Sequence, residues 1–105
     1  MINLHEPLLD KKDLKSLLDC YKTKWISSGG NKVKEFEKQI CKITGAKYAI
    51  ATTNCTSSLQ ISLMLSGVKQ GDEVIVPANT FFSTAWADSY VGAKIIFVDC
   101  ELDTW

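Results

Sequence analysis

The sequence predicts an α/β protein in which helices alternate with short parallel strands. Two observations indicate this class. The segments VIVPA (74–78) and KIIFVD (94–99) hold apolar, largely β-branched runs without polar alternation, which is typical of parallel strands covered on both faces. Stretches with helical spacing separate them, so the order from residue 48 onward is strand, helix, strand, helix, strand.

Length and charge exclude several classes of protein. The chain has 105 residues, of which 46% are hydrophobic, enough for one small domain with a modest core. Twelve basic and twelve acidic residues cancel, so no overall field favours nucleic acid or a membrane surface. No apolar run approaches the roughly 20 residues of a membrane-spanning helix. Residues 1–15 lack a secretory signal, so we expect a cytoplasmic protein.

The first half of the chain predicts two helices joined by a loop. Asp10 is a suitable N-cap for a helix that ends near Lys24. The segment WISSGGN (25–31) predicts the loop, and a second helix runs from about Lys32 to Thr44, with Gly45 as its stop. The first helix carries one apolar stripe, formed by Leu14, Leu17, Leu18 and Tyr21.

The second half supplies the strands and two further helices. Tyr48–Thr52 is predicted as a strand and Thr56–Leu65 as a helix that Gly67 ends. After the strand at 74–78, Phe82–Tyr90 is predicted as a helix stopped by Gly92, and the last strand occupies 94–99. Three such strands form an incomplete doubly wound sheet, so the sequence predicts the N-terminal piece of a larger fold.

The cysteines predict neither a metal site nor disulfides. Their spacings match neither a zinc site nor a CxxC redox pair. Because disulfides are rare in the cytosol, we expect reduced thiols and no bound metal. The cysteines are Cys20, Cys41, Cys55 and Cys100.

The segment TTNCTSS (52–58) is the strongest candidate for a binding site. It is uncharged and rich in hydroxyls in a chain that is 23% charged. At a helix N-terminus, unpaired backbone N–H groups and the helix dipole favour an anion, and Thr56 and Ser57 add hydroxyl donors. The alternative is a plain N-capped helix start, because Ser, Thr and Asn are all good caps. The glycines and lysine of a P-loop are missing.

The loop PANTFFSTAW (77–86) places Phe81 and Phe82 just past a predicted strand. Aromatic residues are most often part of the core, but two neighbours at a strand-to-helix junction do not easily point the same way. One ring could therefore face the cleft and stack on a planar ligand. A phosphate-binding turn, the phosphate seat, beside an aromatic ring that can stack suggests a flat phosphorylated cofactor.

Several motifs together resemble one family of enzymes. WISSG, NCTSSL, GDEVIVP, TFFST and FVD occur in the order and spacing of the DegT/StrS-type sugar aminotransferases, which are pyridoxal-phosphate enzymes. The resemblance runs from HEP to DTW. It implies the N-terminal part of the large domain of fold type I, the aspartate aminotransferase fold, with a mostly parallel sheet. Residues 1–31 would be an N-terminal helix and substrate-side loop, and 32–105 the truncated start of the cofactor-binding domain.

The resemblance also implies roles for individual residues. Thr56 and Ser57 would bind the phosphate of pyridoxal 5′-phosphate, and Phe81 would stack on its pyridine ring. The family's usual glycine is Cys55 here, which places a Cβ where close approach is normal. The substrate side would be formed by Ser27, Ser28 and Gly29.

The family's Schiff-base lysine and the aspartate that pairs with the pyridine nitrogen have no counterpart in this segment. The segment alone is therefore expected to be inactive and to contain no catalytic residue. The implied reaction moves an amino group from glutamate to a keto sugar nucleotide, in 4-amino-4,6-dideoxy sugar synthesis for surface polysaccharide, by a homodimer. The alternatives are a sugar dehydratase of the same family, a cysteine desulfurase or lyase of related fold, and a truncated module that binds no cofactor.

Overall fold

The computed structural model describes residues 5–104. The chain forms two compact units, one up to Ala51 and one from Thr52 onward. The described residues form four helices and two strands. In chain order these are α1 (Lys11–Thr23), α2 (Asn31–Thr44), α3 (Cys55–Leu65), β1 (Glu73–Pro77), α4 (Ser83–Tyr90) and β2 (Lys94–Val98).

Helix α1 begins at a capping box, which confirms the role predicted for Asp10. Its carboxylate accepts the backbone N–H groups of Lys12 at 2.6 Å and Asp13 at 3.1 Å. The Asp13 carboxylate accepts the N–H of Asp10 at 2.8 Å in return. Donors that a helix start otherwise leaves open are thereby satisfied. The helix ends at Thr23, and its C-cap Lys24 has a left-handed φ of 61°.

A tight turn leads into α2. The N–H of Gly30 donates to the carbonyl of Ser27 at 3.2 Å, and Gly30 is buried. At the other end Gly45 adopts a φ of 74° and its N–H donates to the carbonyl of Cys41 at 2.9 Å. A glycine takes this left-handed conformation without the steric cost of a Cβ, so the predicted stop is confirmed.

The second unit is built on a two-stranded parallel sheet. In the ladder Ile75 lies opposite Ile96, and Val76 lies opposite Phe97. Helix α4 connects the strands and packs against both of them as well as against α3. This β–α–β arrangement agrees with the predicted class, since a crossover helix is the usual link between parallel neighbours.

The described residues cover strand β1 on one face only. Val76 is buried on β1, whereas its neighbour Ile75 is 69% exposed, because successive side chains of a strand point to opposite faces. The prediction that both faces are covered is therefore wrong for residues 5–104. The buried residues of the unit are Val76, Ala85, Ala87 and Asp88.

The strand predicted at Tyr48–Thr52 does not form. Within the described chain, β1 and β2 pair only with each other, so this segment has no neighbouring strand. The N–H of Ala51 instead donates to the Glu37 carboxylate at 2.9 Å. A strand is defined by its partner, and the apolar pattern alone could not supply one.

Helices of the described chain are all too short or too polar to cross a membrane. The four cysteines are free thiols, with Cys55 exposed and the others half-buried.

Candidate functional site

The first turn of α3 is held in place by Asn54. This residue has the extended backbone of an N-cap, and its side-chain oxygen accepts the N–H of Ser57 at 2.8 Å. Its carbonyl accepts the N–H of Ser58 at 3.3 Å and the hydroxyl of Thr52 at 2.9 Å. The hydroxyls of Thr52 and Ser58 also bond each other. Asn54, Thr52 and Ser58 therefore fix the turn.

Another set of donors in the same turn has no partner among residues 5–104. It comprises the backbone N–H groups of Cys55 and Thr56 and the hydroxyls of Thr56 and Ser57. Thr56 and Ser57 are half-buried. Because Asn54 already performs the capping, these hydroxyls are not needed for it. The plain-cap alternative explains Asn54 but leaves Thr56 and Ser57 unexplained.

The electrostatics of the turn suit an anion. No charged residue occurs between Lys47 and Lys69, so no carboxylate repels a bound anion from within this stretch. The positive end of the helix dipole and the unpartnered backbone N–H groups both favour a bound anion. A phosphate group, with its acceptor oxygens, therefore fits the donors present.

Cys55 takes the place of the glycine usual in the resembling family without backbone strain. Lys24 is the sole non-glycine residue of the described chain with a positive φ, so Cys55 needs no glycine-specific conformation. It is the first residue of α3, where a Cβ is tolerated, and its side chain is exposed. The departure from the family pattern thus leaves the turn intact.

The two adjacent phenylalanines have different surroundings. The Phe82 ring lies 4.8 Å from the Trp86 ring, centroid to centroid, and Trp86 in turn stacks on Tyr90 at 6.2 Å. Phe81 is 82% exposed and contacts no other ring in the described part of the chain. It precedes α4, the helix that packs against α3. Phe82 is 66% exposed but contacts Trp86, so Phe81 is the more accessible of the two rings.

The predicted substrate-side residues lie in the other unit. Ser27, Ser28 and Gly29 form the turn before α2, and the two serines are exposed. A Cβ added at Gly29 would be 3.5 Å from the ring of Trp25, an ordinary contact distance. The structure thus brings Thr56 and Ser57 together in one turn and leaves this loop in a separate unit.

Sequence reasoning missed two features of the second unit. Unpaired backbone N–H groups were predicted at this helix start but were not assigned to Cys55 and Thr56, although Asn54 followed by Ser57 at the third position is a readable capping signal. Sequence reasoning also gave no sign that Asp88 is buried, since an aspartate in a short helix usually faces solvent.

Comparison with known proteins identifies the family. The model of the DegT/DnrJ/EryC1/StrS aminotransferase family matches residues 7–105. GDP-perosamine synthase of Escherichia coli O157:H7 is 36% identical over 99% of this chain, which spans 29% of that protein. The putative sugar aminotransferase Spr1654 from Streptococcus pneumoniae, in its PLP form, has a TM-score of 0.88 at 30% identity over 98% of this chain and 26% of its own.

A dehydratase is also similar. E. coli GDP-4-keto-6-deoxy-D-mannose-3-dehydratase, solved with bound hydrated PLP, has a TM-score of 0.82 at 29% identity over 99% of this chain and 28% of its own. The chain therefore spans less than a third of each of these relatives.

These similarities confirm the predicted fold, an α/β unit with a parallel sheet as in the fold type I enzymes that use pyridoxal phosphate. The match to the family model covers nearly the whole sequence and spans the motifs from WISSG to FVD. The chain belongs to the DegT/DnrJ/EryC1/StrS aminotransferase family.

Proposed function

We propose that this chain is the part of a PLP-dependent sugar aminotransferase that holds the phosphate and the ring of the cofactor. The observation that carries the proposal is the set of unpartnered donors in the uncharged first turn of α3. Pyridoxal phosphate, when bound, supplies the electron sink for moving an amino group. The residues of the α3 turn and Phe81 would act on its binding and orientation.

The hydroxyls of Thr56 and Ser57 and the N–H groups of Cys55 and Thr56 would donate to the phosphate oxygens. A hydrogen bond to a charged group contributes about 1.5–3 kcal/mol, and the helix dipole adds about 0.3–1 kcal/mol. The ring of Phe81 would lie against the pyridine face, with a contribution of about 0.5–1.5 kcal/mol beyond its burial. Together these contacts would favour binding of the phosphate ester without a charged side chain in residues 52–58.

The substrates we propose are a keto sugar nucleotide and glutamate as the amino donor, for 4-amino-4,6-dideoxy sugars of surface polysaccharide. Support comes from the similarity to GDP-perosamine synthase. The loop of Ser27, Ser28 and Gly29 would face the substrate, within a segment 1–31 that precedes the cofactor-binding region 32–105. A homodimer and a cytoplasmic location are further parts of the proposal.

A sugar dehydratase is the second candidate, favoured by the similarity to the 3-dehydratase. The two functions share the phosphate seat, so residues 52–58 do not separate them. The two functions are distinguished by incubating the complete enzyme that contains this chain with a keto sugar nucleotide and glutamate. An amino sugar indicates the transferase, whereas loss of a hydroxyl without gain of nitrogen indicates the dehydratase.

The seat itself is tested with pyridoxamine 5′-phosphate, because this form lacks the aldehyde that would react with the many lysines. Its fluorescence is followed as the 105-residue chain is added. We expect Thr56→Val, which replaces the hydroxyl with a methyl group of similar size, to weaken binding by about 10-fold or more, in line with about 1.5–3 kcal/mol. Thr53→Val is the matched control, since Thr53 is exposed and lies outside the helix.

Unphosphorylated pyridoxamine serves as the ligand control and should bind far more weakly than the phosphate ester. Equal affinity of the two ligands would contradict a phosphate seat. Equal affinity of the Thr56→Val and Thr53→Val variants would contradict the role of Thr56.

A further inference from the structure

The small core of the second unit contains a carboxyl group. Asp88, on α4, is 2% exposed, and its Oδ2 is buried without a hydrogen-bond partner in the described chain. It is buried along with Ala85 and Ala87 of the same helix and Val76 of β1. A buried acidic group with an unpartnered oxygen is uncommon and calls for a physical explanation.

The elements packed against α4 bring no charge that would compensate. Helix α3 has no charged side chain, and its one titratable group, Cys55, is exposed. Glu73 on β1 and Lys94 on β2 are exposed at the starts of their strands, and neither bonds Asp88. On α4 itself the other titratable group is the exposed Tyr90.

The free energy of burial therefore depends on the protonation state of Asp88. Burying an ionised carboxylate without a partner costs far more than burying the neutral acid. Removal from water raises the pKa of Asp88 above its ordinary value of 3.8. The packed helix thus binds a proton more tightly than the unpacked chain does.

We propose that the packing of α4 is proton-linked, so that the packed helix holds Asp88 as the neutral acid and ionisation of Asp88 loosens α4 from β1, β2 and α3. The sign follows from linkage. The contribution is fully present below pH 3.8 and is lost as the pH rises through the raised pKa of the folded state. The inference concerns packing and does not depend on the proposed function.

The test compares the 105-residue chain with its Asp88→Asn variant, which keeps the shape but cannot ionise. Thermal unfolding is measured between pH 4 and pH 8. We expect the Tm of Asp88→Asn to match that of the parent at pH 4 and to exceed it by about 4 °C or more at pH 8. Asp103→Asn is the control, because Asp103 is exposed, and its Tm should follow the parent at every pH.

A constant Tm difference between Asp88→Asn and the parent across this range would overturn the proposal. A direct titration makes the proposal independent of the variants. The carboxyl carbon of Asp88, followed by NMR, should titrate above pH 3.8. A midpoint at or below that value would also overturn the proposal.

Discussion

The side-chain oxygen of Asn54 accepts the backbone N–H of Ser57 at 2.8 Å and thereby caps α3. This hydrogen bond separates the groups that build the turn from the groups that remain free in it. The hydroxyl of Ser57 stays available while its N–H is committed. The turn can therefore bind an anion without giving up the bonds that shape it.

The variant Asn54→Asp should keep the helix cap and add a negative charge beside the free donors. Aspartate caps helices as well as asparagine does, so the free energy of unfolding should change by less than about 0.5 kcal/mol. The new negative charge lies beside the proposed phosphate, and two such charges about 4 Å apart repel by about 1–4 kcal/mol. Affinity for pyridoxamine 5′-phosphate, measured by fluorescence titration, should fall by at least about 5-fold.

Asn54→Ser is the matched control, because serine caps the helix without a charge. If the Asp and Ser variants bound the ligand equally well, no anion could lie at this helix end.

The second prediction concerns the two phenylalanines. Phe81→Leu should weaken binding of pyridoxamine 5′-phosphate by about 0.5–1.5 kcal/mol and leave stability nearly unchanged, because the ring is exposed. Phe82→Leu should lower the free energy of unfolding, since it removes the contact with Trp86, and should leave affinity unchanged. Ligand titration and urea unfolding of both variants check this. The reverse pattern would indicate that Phe82, and not Phe81, stacks on the ligand.

The third prediction compares Gly92→Ala with Gly67→Ala. Both glycines have positive φ, at 75° and 84°, so alanine costs about 1–2 kcal/mol at each position. A Cβ at Gly92 would also lie 3.2 Å from the side chain of Gln70, whereas one at Gly67 would meet nothing within 4 Å. Urea unfolding should show Gly92→Ala as the more destabilised variant. Equal losses would mean that the loop holding Gln70 moves aside freely.

The features that sequence reasoning predicted correctly depend on neighbours along the chain. Asp10 caps α1, and Gly45 stops α2, because the atoms involved lie within a few residues of each other. The strand predicted at Tyr48–Thr52 does not form, because a strand needs a pairing partner that the local pattern does not contain. The prediction that both faces of β1 are covered was wrong for the same reason, as the exposed Ile75 shows.

In the candidate site, too, features set by neighbours along the chain were predictable and features set by packing were not. Thr56 and Ser57 were predicted because hydroxyls at a helix start are a local signal, and both lie in the first turn of α3. The residue pattern alone left Phe81 and Phe82 equivalent, and the family resemblance named Phe81. The contact of Phe82 with Trp86 is seen only in the folded helix. The burial of Asp88 depends on helix packing and had no counterpart in the sequence pattern.

The most direct test of the central claim is amide mapping by two-dimensional NMR during titration with pyridoxamine 5′-phosphate. If the phosphate lies on the first turn of α3, the N–H signals of Cys55 and Thr56, unpartnered in the described chain, will show the largest shifts. Unphosphorylated pyridoxamine will not reproduce them. Saturating shifts elsewhere, with these two amides unmoved, would contradict the account.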